Sequence, residues 1–92
     1  MLFIIDCSDK PGHGQVRLDN RDAHLTYLEG FKEQLVMAGP FLDDNGDMIG
    51  SMLVMDFANR DEARAFCAED PYAIAGLFTR VAIRPWRKTL PR

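Results

Sequence analysis

Two titratable residues stand where hydrophobic residues are expected, and they are the residues of this chain best suited to chemistry. His24 falls on the apolar stripe of the first predicted helix, and Asp70 closes the second predicted helix on its apolar stripe. Both side chains are therefore expected to point toward buried surface. A buried imidazole and a buried carboxylate are costly unless they are paired, and such pairs concentrate at functional sites.

A neutral imidazole oriented by a carboxylate is a competent general base. We expect His24 in the first turns of its helix, where the positive helix end and burial both disfavour the imidazolium. Asp70 would oppose these effects by stabilising the cation, and it would also fix the tautomer. The expected reaction moves a proton on a carbon next to a carbonyl, without metal or other cofactor. The alternative is a structural pair that joins two helix ends.

Three further residues are candidates for substrate binding. Arg21 precedes His24 by three residues, so it lies on nearly the same helix face and could attract an anionic substrate. Ser51 could donate a hydrogen bond from a strand, and Tyr72 could direct its hydroxyl into the same pocket. Each has a structural alternative: a solvated arginine, a merely small strand residue, and a core tyrosine with its hydroxyl at the surface.

The cysteines and the charge balance exclude several classes of protein. Cys7 and Cys67 lie in apolar segments and cannot form a disulfide framework, so we expect buried thiols of a reducing compartment. Neither has a second Cys or His at zinc-binding spacing, which gives no metal site. The net charge is −3, with 11 basic and 14 acidic residues interspersed, and no basic stripe suited to nucleic acid is present.

The chain opens on a strand-like apolar segment without a charged leader, and no apolar run is long enough to cross a bilayer. We therefore expect a cytoplasmic protein with no membrane partner. The 92 residues predict one domain, residues 1–92.

The patterning predicts six elements, in the order strand, helix, strand, strand, helix, strand. Residues 2–7 form an apolar run typical of a strand buried on both faces. The first helix is expected to begin near Asp19 or Asn20, to carry Leu28, Phe31 and Leu35 on its stripe, and to end at residues 39–40. The predicted elements after this helix are a short strand at 40–42, an Asn-Gly hairpin turn, a strand at 48–57, a capped helix ending at 70, and a strand at 78–86.

This order predicts a ferredoxin-like α+β fold, βαββαβ, with an antiparallel sheet. Large hydrophobic residues occupy both faces of the third strand, but two helices cover only one face of a sheet. The other face would be an apolar patch too large for a monomer. We therefore expect a homodimer, or a higher homo-oligomer, with sheets packed face to face. The alternatives are an open sheet face or cover from the C-terminal tail.

Six short segments carry a family resemblance over nearly the whole chain: Met-Leu-Phe-Ile-Ile at 1–5, Arg-Asp-Ala-His-Leu at 21–25, Ala-Gly-Pro at 38–40, Gly-Ser at 50–51, Asp-Pro-Tyr at 70–72 and Ala-Gly-Leu at 75–77. In their order and spacing they resemble the YciI-like (YCII-related) family of the dimeric α/β-barrel superfamily. The resemblance implies a ferredoxin-like protomer, a dimer formed through its sheets, and a pocket built around His24 and Asp70. The tight hairpin at 43–47 departs from relatives with a longer segment there.

The resemblance also implies a chemistry, because the superfamily includes muconolactone isomerase and a dehydrochlorinase close to this family. We therefore expect a small dimeric enzyme, of isomerase or lyase type, acting on a small cyclic or carbonyl compound. The alternative is a non-catalytic dimeric module that binds a small metabolite or assists assembly. A third candidate, from the same superfamily, is a haem-binding or haem-degrading protein.

Overall fold

The computed structural model describes residues 1–92 and contains one four-stranded sheet and three helices. The elements in chain order are β1 (Leu2–Asp9), α1 (Gly14–Glu29), β2 (Leu35–Leu42), β3 (Met48–Asp56), α2 (Arg60–Glu69), α3 (Pro71–Ile74) and β4 (Phe78–Trp86). The strand order is β2-β3-β1-β4, and all neighbouring strands are antiparallel. The predicted ferredoxin-like α+β fold is confirmed. None of the helices has the length and apolar character needed to cross a membrane.

The prediction of α1 was wrong at both ends. The helix begins at Gly14 rather than near residue 19, and it ends at Glu29 rather than at residues 39–40. Leu35, which was assigned to the helix stripe, instead opens β2 opposite Met55 of β3. Short apolar runs fit either a helix or a strand, and here strand pairing decides between them. Pro40 lies inside β2, which is tolerated because β2 is an edge strand.

The hairpin between β2 and β3 forms as predicted. Gly46 takes a φ of +84°, which glycine adopts without strain. The Asp43 carboxylate accepts hydrogen bonds from the backbone N–H groups of Asn45 and Asp47, at 2.9 and 3.0 Å. These contacts fix the turn and therefore the register of the two strands that follow from it.

The two faces of the sheet differ in their cover. One face and the helices enclose a core of mostly apolar side chains: Phe3, Ile5, Cys7, Leu28, Leu53, Met55, Phe57, Ala63 and Phe66. On the opposite face Ile4 is only half-buried, and Met37, Phe41 and Trp86 are exposed by 56%, 39% and 44%. Within one chain, then, β1 is fully buried on one face only, and the other face remains open.

Gly50 is the position where the central strands tolerate no side chain. A Cβ at this residue would lie 2.4 Å from the carbonyl oxygen of Cys7 and 3.2 Å from the Phe41 ring. We expect Gly50→Ala to lower the free energy of unfolding by about 1–3 kcal/mol, the usual cost of overpacking, measured by urea denaturation. Gly39→Ala is the control, because its Cβ would meet nothing within 4 Å. Equal stability of the two variants would contradict the prediction.

Candidate active site

A cavity of about 180 Å³ lies between α1, the β2–β3 pair and the start of α3. Its polar walls are formed by five residues: Arg17, Arg21, His24, Ser51 and Tyr72. Its remaining walls are largely apolar, with Leu25 and Leu28 from α1 and Leu53 and Met48 from β3. The cavity therefore combines a mostly apolar lining with a few polar groups, which is the usual composition of a small-molecule site.

His24 and Asp70 are hydrogen-bonded to each other. His24 Nδ1 lies 2.8 Å from Asp70 Oδ1, and the two residues are 6% and 4% exposed. The same Asp70 oxygen accepts the backbone N–H of Tyr72 at 2.9 Å. This second bond caps α3, which begins at Pro71 because proline suits the first position of a helix. Asp70 therefore stabilises the junction between α2 and α3 and also fixes the orientation of the His24 imidazole.

The position of His24 differs from the one that the sequence predicted. Because α1 begins at Gly14, His24 lies well beyond the first turns and closer to the end at Glu29. The influence of a helix end fades within one turn. The positive end of α1 therefore does not act on His24, and Asp70 is the charge that contacts the imidazole.

The second ring nitrogen of His24 is open to the cavity. Nε2 makes no hydrogen bond within the chain. Every fully buried side-chain nitrogen or oxygen atom does have a hydrogen-bond partner. Nε2 is therefore accessible, and His24 is one of the residues lining the cavity. A carboxylate accepts only, so a neutral His24 donates from Nδ1 to Asp70 and leaves the lone pair of Nε2 available.

Tyr72 lies against both His24 and Arg17. Its ring stacks on the imidazole with centroids 4.0 Å apart and 14° between the planes. The Arg17 guanidinium carbon is 4.7 Å from the centroid of the same ring, within cation–π distance. Burial raises the pKa of the Tyr72 hydroxyl, although the nearby Arg17 and Arg21 charges oppose this. The hydroxyl is therefore a proton donor at neutral pH.

Arg17 is the residue of this site that sequence reasoning missed. Its Nε and Nη2 donate to the Asp9 carboxylate at 2.7 and 2.8 Å, and Nη2 also donates to Ser51 Oγ at 2.9 Å. Arg17 is only 3% exposed. The signal was present, because Arg17, Arg21 and His24 follow each other at spacings of four and three on one helix face. Placing the helix start too late concealed it.

The remaining predicted binding residues lie at the cavity, but in different surroundings. Arg21 is exposed at its rim. Ser51 is buried, and its oxygen accepts the bond from Arg17 while its own hydrogen makes no bond within the chain. The structure therefore brings together all five predicted site residues, with Arg17 and Asp9 added.

The two cysteines are held as thiols. Burial is the main cause that raises the pKa of Cys7 and raises the pKa of Cys67 to about 12. Since the thiolate is the nucleophilic form, neither side chain is activated for covalent catalysis. No three His, Cys, Asp or Glu side chains cluster in a way that could hold a metal ion.

Comparison with known proteins gives consistent matches. The model of the YCII-related domain matches residues 1–87. Protein YciI of Escherichia coli O6:H1 is 32% identical over 96 aligned positions, which cover 96% of this chain and 98% of that protein. An uncharacterized protein of Haemophilus influenzae is 31% identical over the same shares of the two chains.

Two solved structures extend the comparison. The 5-chloro-2-hydroxyhydroquinone dehydrochlorinase of Burkholderia phenoliruptrix AC1100, in complex with 2,5-dihydroxybenzoquinone, is 41% identical with a TM-score of 0.90. The match covers 97% of this chain and 96% of that one. An antibiotic biosynthesis monooxygenase is 12% identical with a TM-score of 0.56, covering 96% and 100% of the two chains, and is similar in fold alone.

The tautomer of His24 gives a direct test of the pair. In the neutral ring of the wild type we expect the proton on Nδ1, because Asp70 accepts a bond there. Asp70→Ala removes the acceptor, so the proton should move toward Nε2, as read from the ring ¹⁵N chemical shifts. His13 is the internal control, since its Nδ1 faces the carbonyl of Pro11 instead. A wild-type His24 protonated on Nε2 would contradict the assignment.

Proposed function

The chain belongs to the YCII-related family, and from this membership we propose that it is a small enzyme that transfers a proton on a small cyclic or carbonyl compound. His24 is the general base and Asp70 orients it. The observation that carries the proposal is the arrangement of one imidazole: Nδ1 is held by a buried carboxylate at 2.8 Å, and Nε2 is open to the cavity. This is the arrangement that general-base catalysis requires.

The dimensions of the cavity support a small substrate. Its volume of about 180 Å³ is below the range of roughly 300–1,000 Å³ typical of sites for drug-sized ligands. A single substituted six-membered ring is therefore the kind of molecule we propose. The likeness at 41% identity to a protein in complex with 2,5-dihydroxybenzoquinone supports the same class of ligand.

We propose elimination of hydrogen chloride from a chlorinated, hydroxylated ring as the reaction, by analogy with the dehydrochlorinase. His24 Nε2 removes a hydroxyl proton from the keto tautomer of the substrate, in which the chlorine is on a saturated ring carbon. The electron pair of the O–H bond forms a carbonyl, the ring double bond shifts, and chloride leaves with the electrons of the C–Cl bond. The net loss is HCl, so the step needs no oxidant or reductant.

We also propose that the protein forms a homodimer through the open face of the sheet. Met37 lies opposite Val54, and Phe41 lies opposite Gly50, on the face that the helices do not cover. Apolar side chains on this face, such as the half-buried Ile4 and Met52, would be buried if two sheets packed together. Packing of two sheets would cover the hydrophobic residues that a single chain leaves exposed on that face.

Replacing the base tests the enzymatic role. With 5-chloro-2-hydroxyhydroquinone as substrate and chloride release as the measurement, we expect His24→Ala to lower kcat/KM by about 10²–10⁴-fold, the usual contribution of a general base. Asp70→Asn should cause a smaller loss, because the amide oxygen still accepts the Nδ1 proton but carries no full charge.

The matched control is His13→Ala, which removes a histidine in the loop before α1 and should leave kcat/KM unchanged. Full activity of His24→Ala would refute the assignment of the base. Binding of the compound by the wild type without any chloride release would instead favour a non-catalytic binding module.

A charge on the open sheet face tests the dimer. Met37→Glu would place one carboxylate of each copy in the proposed interface, so we expect it to produce monomers in sedimentation velocity experiments. Leu18→Glu is the control, because Leu18 is 57% exposed on α1 and Met37 is 56% exposed on the sheet. A wild-type monomer, or an unchanged dimer in Met37→Glu, would count against face-to-face packing.

A further inference from the structure

One carboxylate on the open face of the sheet has no ionic partner in the chain. Asp6 stands between Ile5 and Cys7, which are 1% and 3% exposed on the core side of β1. Successive side chains of a strand point to opposite faces, so the Asp6 side chain points to the open face. It is half-buried there, and it takes part in none of the ion pairs of the chain.

The other charges of the sheet are either paired or cationic. Of the remaining acidic residues in the strands, Asp9 pairs with Arg17, and Asp56 pairs with the N-terminal ammonium group at 2.8 Å. The four strands contain two cationic residues, Arg80 and Arg84, and both belong to β4. Neither arginine forms an ion pair within the chain. The sheet therefore carries one unpaired anion and two unpaired cations.

Both arginines lie on the open face, and Arg84 is the one nearer to its apolar middle. Arg84 lies opposite Ile4 of β1, and Ile4 in turn lies opposite Val54 of β3. Arg80 lies opposite Ser8, where the register between β1 and β4 shifts and the regular pairing ends. A second sheet packed on the middle of the face would therefore cover Arg84 before it covers Arg80.

The surroundings of Asp6 offer no compensation if that face is covered. Its cross-strand neighbours are Met52 of β3 and Ala82 of β4, and neither side chain can donate a hydrogen bond. Removing water from a carboxylate is costly unless an opposite charge replaces it. The cation must then come from the second copy. In a twofold dimer Asp6 cannot lie on the axis, because there it would meet the same carboxylate of the partner.

We propose that Asp6 of one copy pairs with Arg84 of the partner copy, and that the twofold axis repeats this contact, so that two ion pairs set the register of the facing sheets. This inference rests on the homodimer of the proposed function, and it names the residues by which one copy recognises the other. An apolar face alone permits many alignments. A shifted alignment would leave two carboxylates and two guanidinium groups buried without partners, so the charges select one alignment.

Charge reversal at either position should separate the two copies. In an Asp6→Arg homodimer each contact joins two cations, and in an Arg84→Glu homodimer each contact joins two carboxylates. We expect each variant to raise the Kd of the homodimer at least about 100-fold, measured by sedimentation velocity over a concentration series. Arg80→Glu is the matched control, because it reverses a cation on the same strand and face outside the proposed pair. Its Kd should stay within about threefold of the wild type.

Mixing the two variants distinguishes a contact between copies from one within a copy. In a mixed dimer the new cation at position 6 meets the new carboxylate at position 84, and the native Arg84 of one copy meets the native Asp6 of the other. Both contacts again join opposite charges, so we expect mixed dimers to form where neither variant dimerises alone. Native mass spectrometry detects them, since the two variants differ in mass. The double variant Asp6→Arg/Arg84→Glu should also form homodimers.

A milder series applies if a charge-reversed variant does not fold, as judged by circular dichroism. Asp6→Asn and Arg84→Gln each leave one buried charge without a partner, whereas the double variant Asp6→Asn/Arg84→Gln leaves none. A double variant that dimerises more tightly than either single variant supports the pair. Losses that simply add would overturn it.

The outcomes separate this inference from the rest of the proposed function. Single variants that remain dimers would overturn the pair and leave face-to-face packing standing. Homodimers of the double variant without mixed dimers of the single variants would overturn it as well, because that pattern belongs to a pair within one chain. A monomeric wild type would overturn both the pair and the packing. Neither Asp6 nor Arg84 lines the cavity, so chloride release by His24→Ala tests the reaction independently.

Discussion

One oxygen atom of Asp70 determines the geometry of the site. It accepts the Tyr72 backbone N–H, which starts α3, and it contacts His24 Nδ1, which lies on a different helix. A carboxylate buried to this degree must be compensated by such bonds, since desolvating it is costly. The turn between α2 and α3 and the orientation of the imidazole are therefore fixed together. A change in either feature therefore disturbs the other, because both depend on the same Asp70 oxygen.

The interior is divided between an apolar end and a polar end. Phe31, Phe57 and Phe66 pack against one another at the apolar end, with ring centroids 4.9–6.4 Å apart. At the polar end, four of the seventeen buried residues carry polar or charged side chains: Arg17, His24, Ser51 and Asp70. A small domain places this many polar groups inside only where they satisfy one another, and none of its buried side-chain nitrogen or oxygen atoms lacks a partner.

The sequence was informative wherever a local signal had one physical meaning. The Asn-Gly turn, the Asn59 cap with Glu62 three residues later, and the proline after Asp70 all gave the correct element boundaries within a residue or two. These signals predicted the order of the elements, and the order predicted the fold. The apolar periodicity of the two helices predicted that His24 and Asp70 are buried, because both residues fall on an apolar stripe.

The sequence was uninformative where contacts between residues far apart in the chain determine the local structure. The start of α1 carries no side-chain cap, since His13 makes no capping bond, so nothing local marked Gly14 as helical. The Asp9–Arg17 pair was hidden for the same reason, because it depends on the end of a strand and the first turn of a helix meeting in space. Likewise, whether residues 35–38 continue a helix or pair as a strand depends on β3.

The placement of proline in the sheet restricts how molecules of this protein associate. Each edge strand contains one proline, Pro40 in β2 and Pro85 in β4, and the central strands contain none. Proline has no backbone N–H to offer a further strand, and register shifts near both ends of β2 distort that edge still more. Sheet extension from chain to chain, the first step toward fibrous aggregates, is therefore discouraged at both edges. An apolar sheet face can then remain open without making the protein prone to strand-by-strand polymerisation.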